Sequence, residues 1–181
     1  MRICIFGAAS PDIHPAFIRS TEALSRDLAR EGHSLVFGGG CNGLMGAAAR
    51  GFAAENAEII GVIPHFLEDE GIEPVFSDRA HLIYTETMHE RKAKMEDLAE
   101  AFLILPGGIG TLEEFFEVLT LKKLGRHKKP ILVFNQNGYY DPVRRMIDRA
   151  VEEKFSDSDL QKSYLFCFSE EDIRSELRKE G

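Results

Sequence analysis

No stretch of this 181-residue chain approaches the ~18 to 20 consecutive apolar residues that a membrane-spanning helix requires. Cysteine is scarce and scattered: Cys4, Cys41 and Cys167 make no C-x-x-C pair. An odd, dispersed set argues against a disulfide framework and a zinc site, and points to a reducing cytoplasm. The six histidines show no H-x-x-x-H or similar ligand spacing, so no metal is expected. Positive charge is also in deficit, with 22 Lys+Arg against 30 Asp+Glu and a net charge of −8. Such a surface repels nucleic acid unless a local basic patch intervenes. The one basic run, Lys122–Lys129, reads as a helix end whose cations complement the dipole and whose Gly125 supplies the stop. The segment Met1–Gly7 has a single basic residue and a short apolar stretch, which reads as a first strand and not a signal peptide. Two nucleotide fingerprints are missing as well. No G-x-G-x-x-G follows the first strand and no G-x-x-x-x-G-K-[ST] occurs, which speaks against dinucleotide binding and nucleoside triphosphate hydrolysis.

What is present is an alternation of short apolar runs and longer amphipathic stretches, in a chain that is 44% apolar. Strands are expected at Arg2–Phe6, Ser34–Phe37, Glu58–Ile63, His81–Tyr84, Ala101–Leu105, Ile131–Phe134 and Tyr164–Phe168. Most are apolar throughout, as strands covered on both faces should be. Helices are expected at Pro15–Glu31, Asn42–Asn56, Thr87–Glu100, Thr111–Leu124, Asp141–Glu153 and Glu170–Lys179. Near the C-terminus, Ser169 reads as a helix cap, and Phe166, Phe168 and Ile173 read as core. Strand, helix, strand, repeated, implies a doubly wound parallel sheet flanked by helices, here one α/β domain over residues 1–181. The acidic segment Pro64–Arg79 breaks the pattern and reads as a long loop with one short helix, bordering a ligand cleft.

Ligands in such sheets bind outside the carboxyl ends of the strands. Three strands end there in small or glycine-rich turns: Gly7–Pro11, Gly38–Gly46 and Pro106–Thr111. Missing side chains let a phosphate reach backbone N–H groups, and a helix N-terminus adds a favourable dipole. One glycine turn is often no more than a packing device. Two in one small domain, at Gly38–Gly40 and Gly107–Thr111, point to an anion.

Two charged residues stand in unusual places. Met88, Arg91, Met95, Leu98 and Phe102 step by three and four along one helix stripe, so Arg91 faces inward. Either its head snorkels outward or it meets an anion, because an unpaired buried charge is very costly. On the next helix, Leu112, Phe115, Phe116 and Leu119 form the expected core stripe, and Glu114 lies across from them beside Thr111, Val118 and Leu121. Glu113 and Glu114 both suit a first helical turn, but Glu114 shares its flank with apolar residues and is the better site candidate. A carboxylate beside a ribose stabilises an oxocarbenium-like state or directs water, and a cation balances phosphate or departing base.

Pro106-Gly107-Gly108-Ile109-Gly110-Thr111-Leu112-Glu113-Glu114 fits the pattern PGGxGTxxE. Met88-His89-Glu90-Arg91-Lys92 precedes it, and Gly38-Gly39-Gly40, Gly43-Leu44-Met45-Gly46 and Gly61-Val62-Ile63-Pro64 come earlier still. In order and spacing this resembles the LOG (Lonely Guy) family of cytokinin riboside 5′-monophosphate phosphoribohydrolases, often mislabelled lysine decarboxylases. The likeness runs from the first strand to about Asn135. It implies a Rossmann-like fold, a homodimer or larger homo-oligomer, and release of an adenine-type base and ribose 5-phosphate from a nucleoside 5′-monophosphate, with no metal or organic cofactor. The family's essential pair falls on Arg91 and Glu114. Lys92, Gly108, Gly110, Thr111 and Glu113 match its substrate contacts, and Met45 and Thr120 its pocket. Gly39, Gly40 and Gly107 belong to the two turns expected to hold phosphate and ribose.

The first turn departs from the family, reading Gly7-Ala8-Ala9-Ser10-Pro11 where a Cys-Gly-Ser-Ser type is common; Ser10 keeps a hydroxyl for substrate. In the acidic loop Glu70 and Glu73 are candidates for an upstream substrate carboxylate, and Met45, Met88 and Phe66 for an apolar recess beside the base. A lysine decarboxylase is rejected, since Lys92, Lys122 and Lys123 lack the setting of a pyridoxal phosphate Schiff base. A non-catalytic nucleotide or nucleotide-cofactor carrier on the same fold is the remaining alternative.

Overall fold

The computed structural model describes residues 1–72 and 74–180. Among these residues lie seven strands: β1 (Arg2–Phe6), β2 (Ser34–Phe37), β3 (Ile59–Pro64), β4 (Ala80–Thr85), β5 (Ala101–Ile104), β6 (Ile131–Phe134) and β7 (Leu165–Cys167). Their pairings are all parallel, in the order β4-β3-β2-β1-β5-β6-β7. Between them lie α1 (Pro15–Arg30), α2 (Gly43–Ala54), α3 (His65–Asp69), α4 (Met88–Leu98), α5 (Ile109–Lys123) and α6 (Asp141–Glu152), and α7 (Glu170–Glu180) follows β7. The α/β doubly wound, Rossmann-like architecture expected from the alternating pattern is therefore the one observed.

Alternating side chains of each central strand feed two cores, which is why those strands are apolar at every position. Ile3, Ile5, Leu35 and Phe37 pack on one face beneath Leu24 and Leu28 of α1, Phe52 of α2 and Leu177 of α7. Cys4, Phe6, Val36 and Phe102 fill the other with Met95 of α4, Phe115 and Val118 of α5 and Ile147 of α6. On the first face α2 is buried nearly all round, from Gly43 through Ala49 and again at Gly51 and Phe52. A side chain at Gly51 would press on Glu22 O and Ser25 Cβ of α1, each 2.6 Å away, so these two helices meet backbone to backbone.

Successive strands run outward from β1 to β4 on one side and from β5 to β7 on the other. The chain thus switches direction between β1 and β5, and a crevice opens at their carboxyl ends. Ala8 N–H donates to Pro106 O (3.1 Å), tying together the two turns that flank it.

Element boundaries fall within a few residues of those expected, with instructive exceptions. Helix α5 starts at Ile109 instead of Thr111, so Gly108 becomes its N-cap. The buried arc of α5 is Thr111, Phe115, Val118 and Leu119, whereas Phe116, expected in the core, is 41% exposed. Glu114 borders this arc and is half-buried. Phe168 is a second correction at 58% exposure: β7 is a three-residue edge strand whose inward position is Cys167, and Phe168 falls just past its end. Phe166 is partly buried against the second core and Ile173 is fully buried. Ser169 does cap α7, accepting from Asp172 N–H at 3.1 Å. The acidic loop contains the expected short helix, α3, and then returns to bridge Val75 with Gly40. Among the described residues no helix is long and apolar enough to cross a membrane.

Candidate active site

The crevice is a cleft of about 340 Å³, walled by the turn after β1, Gly38 after β2, the inner face of α4 and the first turns of α5. The start of α4 is fixed by a reciprocal cap. Thr87 Oγ1 accepts from Glu90 N–H (3.1 Å), and the Glu90 carboxylate accepts from Glu86 N–H (3.0 Å). One turn later Arg91 points over the strand ends and is only 9% exposed. Its Nε donates to Val62 O (3.2 Å) and its Nη2 to Gly38 O (3.0 Å), while Met88 Sδ lies 3.7 Å from Nη1. Carbonyl dipoles near the carboxyl ends of β2 and β3 thus help to satisfy the buried guanidinium. Gly38 is obligatory in this arrangement, because any Cβ there would overlap Arg91 Nη2.

Glu114 lines the same cleft as Arg91, across the β1–β5 seam. Ser10, Met45, Gly108, Gly110, Thr111 and Glu113 line it too. Several other candidates do not. Gly39 and Gly40 are buried under the returning loop, where Phe76 N–H donates to Gly39 O (2.8 Å) and Val75 bridges Gly40. Gly107 lies behind the cleft wall, beside a smaller recess. Thr120 is on the outer face of α5, its hydroxyl donating to Phe116 O (2.7 Å). Glu70 follows α3 and is exposed, outside the lining, as is Phe66; Glu73 lies outside the described residues. Lining residues that the sequence did not signal include Ile5 and Phe6. Nothing in an apolar strand end distinguishes a residue that borders a cleft from one packed in the core.

Lys92, the remaining candidate, is engaged elsewhere. Its ammonium pairs with Glu113 and lies 2.7 Å from Glu117 Oε2, with its side chain only 11% exposed. Partial burial alone would lower its pKa, but the two carboxylates outweigh that and hold it above the ordinary lysine value. A Schiff-base lysine needs the opposite shift. One turn along α4, burial first and then the charge of Glu117 push the Glu96 carboxyl up to about 7, with Asp97 reinforcing the rise and Lys92 and Lys129 opposing it. Cys4 is no nucleophile: burial, then the nearby Glu114 and Glu96 charges, drive its thiol well above the ordinary range. Among the described residues no three His, Cys, Asp or Glu side chains are placed to share a metal ion.

The family model described as "Possible lysine decarboxylase" matches residues 45–177. Cytokinin riboside 5′-monophosphate phosphoribohydrolase LOG of rice (Oryza sativa subsp. japonica) is 40% identical over 163 residues, which is 89% of this chain and 66% of that protein, just under two thirds of its length. The cytokinin riboside 5′-monophosphate phosphoribohydrolase of Rhodococcoides fascians is 36% identical over 170 residues, 91% of this chain and 83% of its own. The chain belongs to the LOG family. Its fold is shared more widely. A molybdenum cofactor carrier protein of Chlamydomonas reinhardtii superposes with a TM-score of 0.71 at 17% identity, over 99% of this chain and 96% of its own. DNA processing protein A of Helicobacter pylori does so with 0.61 at 15%, over 99% and 81%. At such identities the likeness is one of fold alone. Within this LOG family member, the sequence motifs and the cleft coincide: PGGxGTxxE supplies one bank and the Arg91 element the other.

The carboxyl of Glu96 gives a measurable consequence. Titrating near 7 in the fold against an ordinary value of 4.5, it makes the native state bind more protons than the unfolded chain across that interval. Its contribution to stability therefore declines as pH rises from about 4.5 to about 7. Glu96→Gln should raise Tm relative to the parent at about pH 8, and the gain should shrink towards about pH 5. Thermal melts at the two values test this, and an equal offset at both would contradict it.

Proposed function

We propose that this protein hydrolyses the N-glycosidic bond of adenine-type nucleoside 5′-monophosphates, releasing free base and ribose 5-phosphate. The observation that carries the reading is that Arg91 and Glu114 line one cleft at the switch point of the sheet, above the first turn of α5. The amides of that turn have no carbonyl one turn back to donate to, and the dipole there favours an anion. The 5′-phosphate accordingly sits against Gly108–Thr111, and the ribose against Glu114. The base lies among Met45, Met88 and Met95, whose flexible thioethers suit a flat ring and an N6 substituent. As the C1′–N bond breaks, positive charge grows on the sugar and negative charge on the base. Glu114 stabilises the first and directs a water whose oxygen bonds to C1′. Arg91, oriented by two carbonyls, balances phosphate or base charge, and a proton from water ends on the released base. Lys92 acts through Glu113, which it holds at the cleft edge. No metal or organic cofactor enters these steps.

The names of the relatives favour an N6-modified substrate, since both act on cytokinin nucleotides by name. A homodimer or larger assembly is supported by α5, whose outer stripe carries Ile109 at 86% and Phe116 at 41% exposure, with Leu124 at 64% just beyond its end. Thr120 lies on that stripe, so in an assembly it faces a partner copy. Three unpaired cysteines suit a cytoplasmic setting. The carrier alternative draws on fold neighbours alone.

Two variants test the reading. Glu114→Gln should cut base release from AMP or prenylated AMP by about a hundredfold or more, the scale of a lost acid–base group, with nucleotide still bound; unchanged turnover refutes the role. Tight binding of AMP by the parent without any base release would favour the carrier. Gly38→Ala should displace the Arg91 head, abolish most turnover and cost about 1 to 3 kcal/mol of stability, because the buried guanidinium loses its carbonyl partners. Turnover assays beside thermal melts separate the two effects.

A further inference from the structure

The turn between β5 and α5 has its carbonyls held one after another. Tyr140 Oη donates to Leu105 O (2.6 Å), Ala8 N–H to Pro106 O (3.1 Å) and Tyr139 Oη to Gly107 O (2.7 Å). Gly108 O then accepts from Leu112 N–H (3.0 Å) as α5 begins. Both phenols come from the tight turn between β6 and α6. Its brace is Asn135, 2% exposed, which accepts from Tyr140 N–H (2.7 Å) and donates to Asp141 Oδ1 (2.7 Å). The two tyrosine rings meet edge to face, 5.1 Å apart.

A trans peptide points its N–H away from its C=O. Anchoring Gly107 O therefore fixes the direction of the Gly108 N–H on the opposite side. Gly108 borders both the cleft and a second recess of about 150 Å³, whereas Gly107 and Tyr139 line only the recess, with Ile13 and Phe17. Two consecutive glycines would otherwise let this peptide rotate freely, and a rotated one would offer an anion a carbonyl oxygen instead of an amide.

We propose that Tyr139 is a positioning residue, a latch that locks the Gly107–Gly108 peptide with its N–H facing the phosphate of the substrate. This rests on the reading that places phosphate at the start of α5. The two tyrosines divide the labour. Tyr139 is 46% exposed, so without its hydroxyl Gly107 O is met by water and the fold loses little. Tyr140 is fully buried, and its loss strands Leu105 O. That peptide has no N–H to aim, because the next residue is Pro106.

Tyr139→Phe and Tyr140→Phe, each beside the parent, are compared by calorimetric titration with inorganic phosphate, by steady-state base release from AMP, and by thermal melts. Tyr139→Phe should weaken phosphate binding and raise KM by about fivefold, the ratio one ordinary hydrogen bond supplies, with kcat and Tm held. Tyr140→Phe should lower Tm and keep phosphate affinity. If Tyr139→Phe binds phosphate as the parent does, or if the parent binds none, the latch is overturned whatever happens to AMP. If the parent binds phosphate more tightly than Tyr139→Phe yet releases no base, the hydrolase reading fails and the latch stands.

Discussion

A guanidinium only 9% exposed, donating to the carbonyls of Val62 and Gly38, sits where β2 and β3 end, and much of the surrounding chain is arranged to allow it. Gly38 must lack a side chain for Nη2 to approach. The Thr87 cap must begin α4 in the phase that turns Arg91 inward. The parallel pairing of β2 with β3 must bring both carbonyls to the same end of the sheet. Remove any of these and the charge loses its seat, because a buried cation is tolerated only where its donors are met.

Much of this is legible in the residues. Uniformly apolar runs signal strands covered on both faces, and the stripe through Arg91 and Met95 signals a cation turned inward. The glycine turns mark the carboxyl ends of strands. What stays hidden depends on contacts between distant segments. Gly39 and Gly40 look like a phosphate turn in sequence, yet the loop at Pro74–Phe76 folds over them. Lys92 looks like a substrate contact, and only the neighbouring helix reveals its pairing with Glu113 and Glu117. Helical and strand periods place Phe116 and Phe168 in the core. The rotation of α5 and the edge position of β7 decide otherwise, and neither is encoded locally.

Scaffold and site part company among the fold neighbours. The carrier protein of Chlamydomonas reinhardtii shares the path of the chain at 17% identity. The rice and Rhodococcoides relatives, at 40% and 36%, share far more of its residues. A doubly wound sheet supplies the crevice; the side chains around it supply the chemistry.

With Gly43 to Ala49 enclosed and Gly51 pressed against α1, α2, which reaches the crevice through Met45, has little room for a larger side chain that would not displace a helix. The α4 and α5 banks are looser at their rims, where Met88 and Glu113 are exposed. The crevice therefore pairs a floor held rigid by close helix packing with margins whose side chains have room to change.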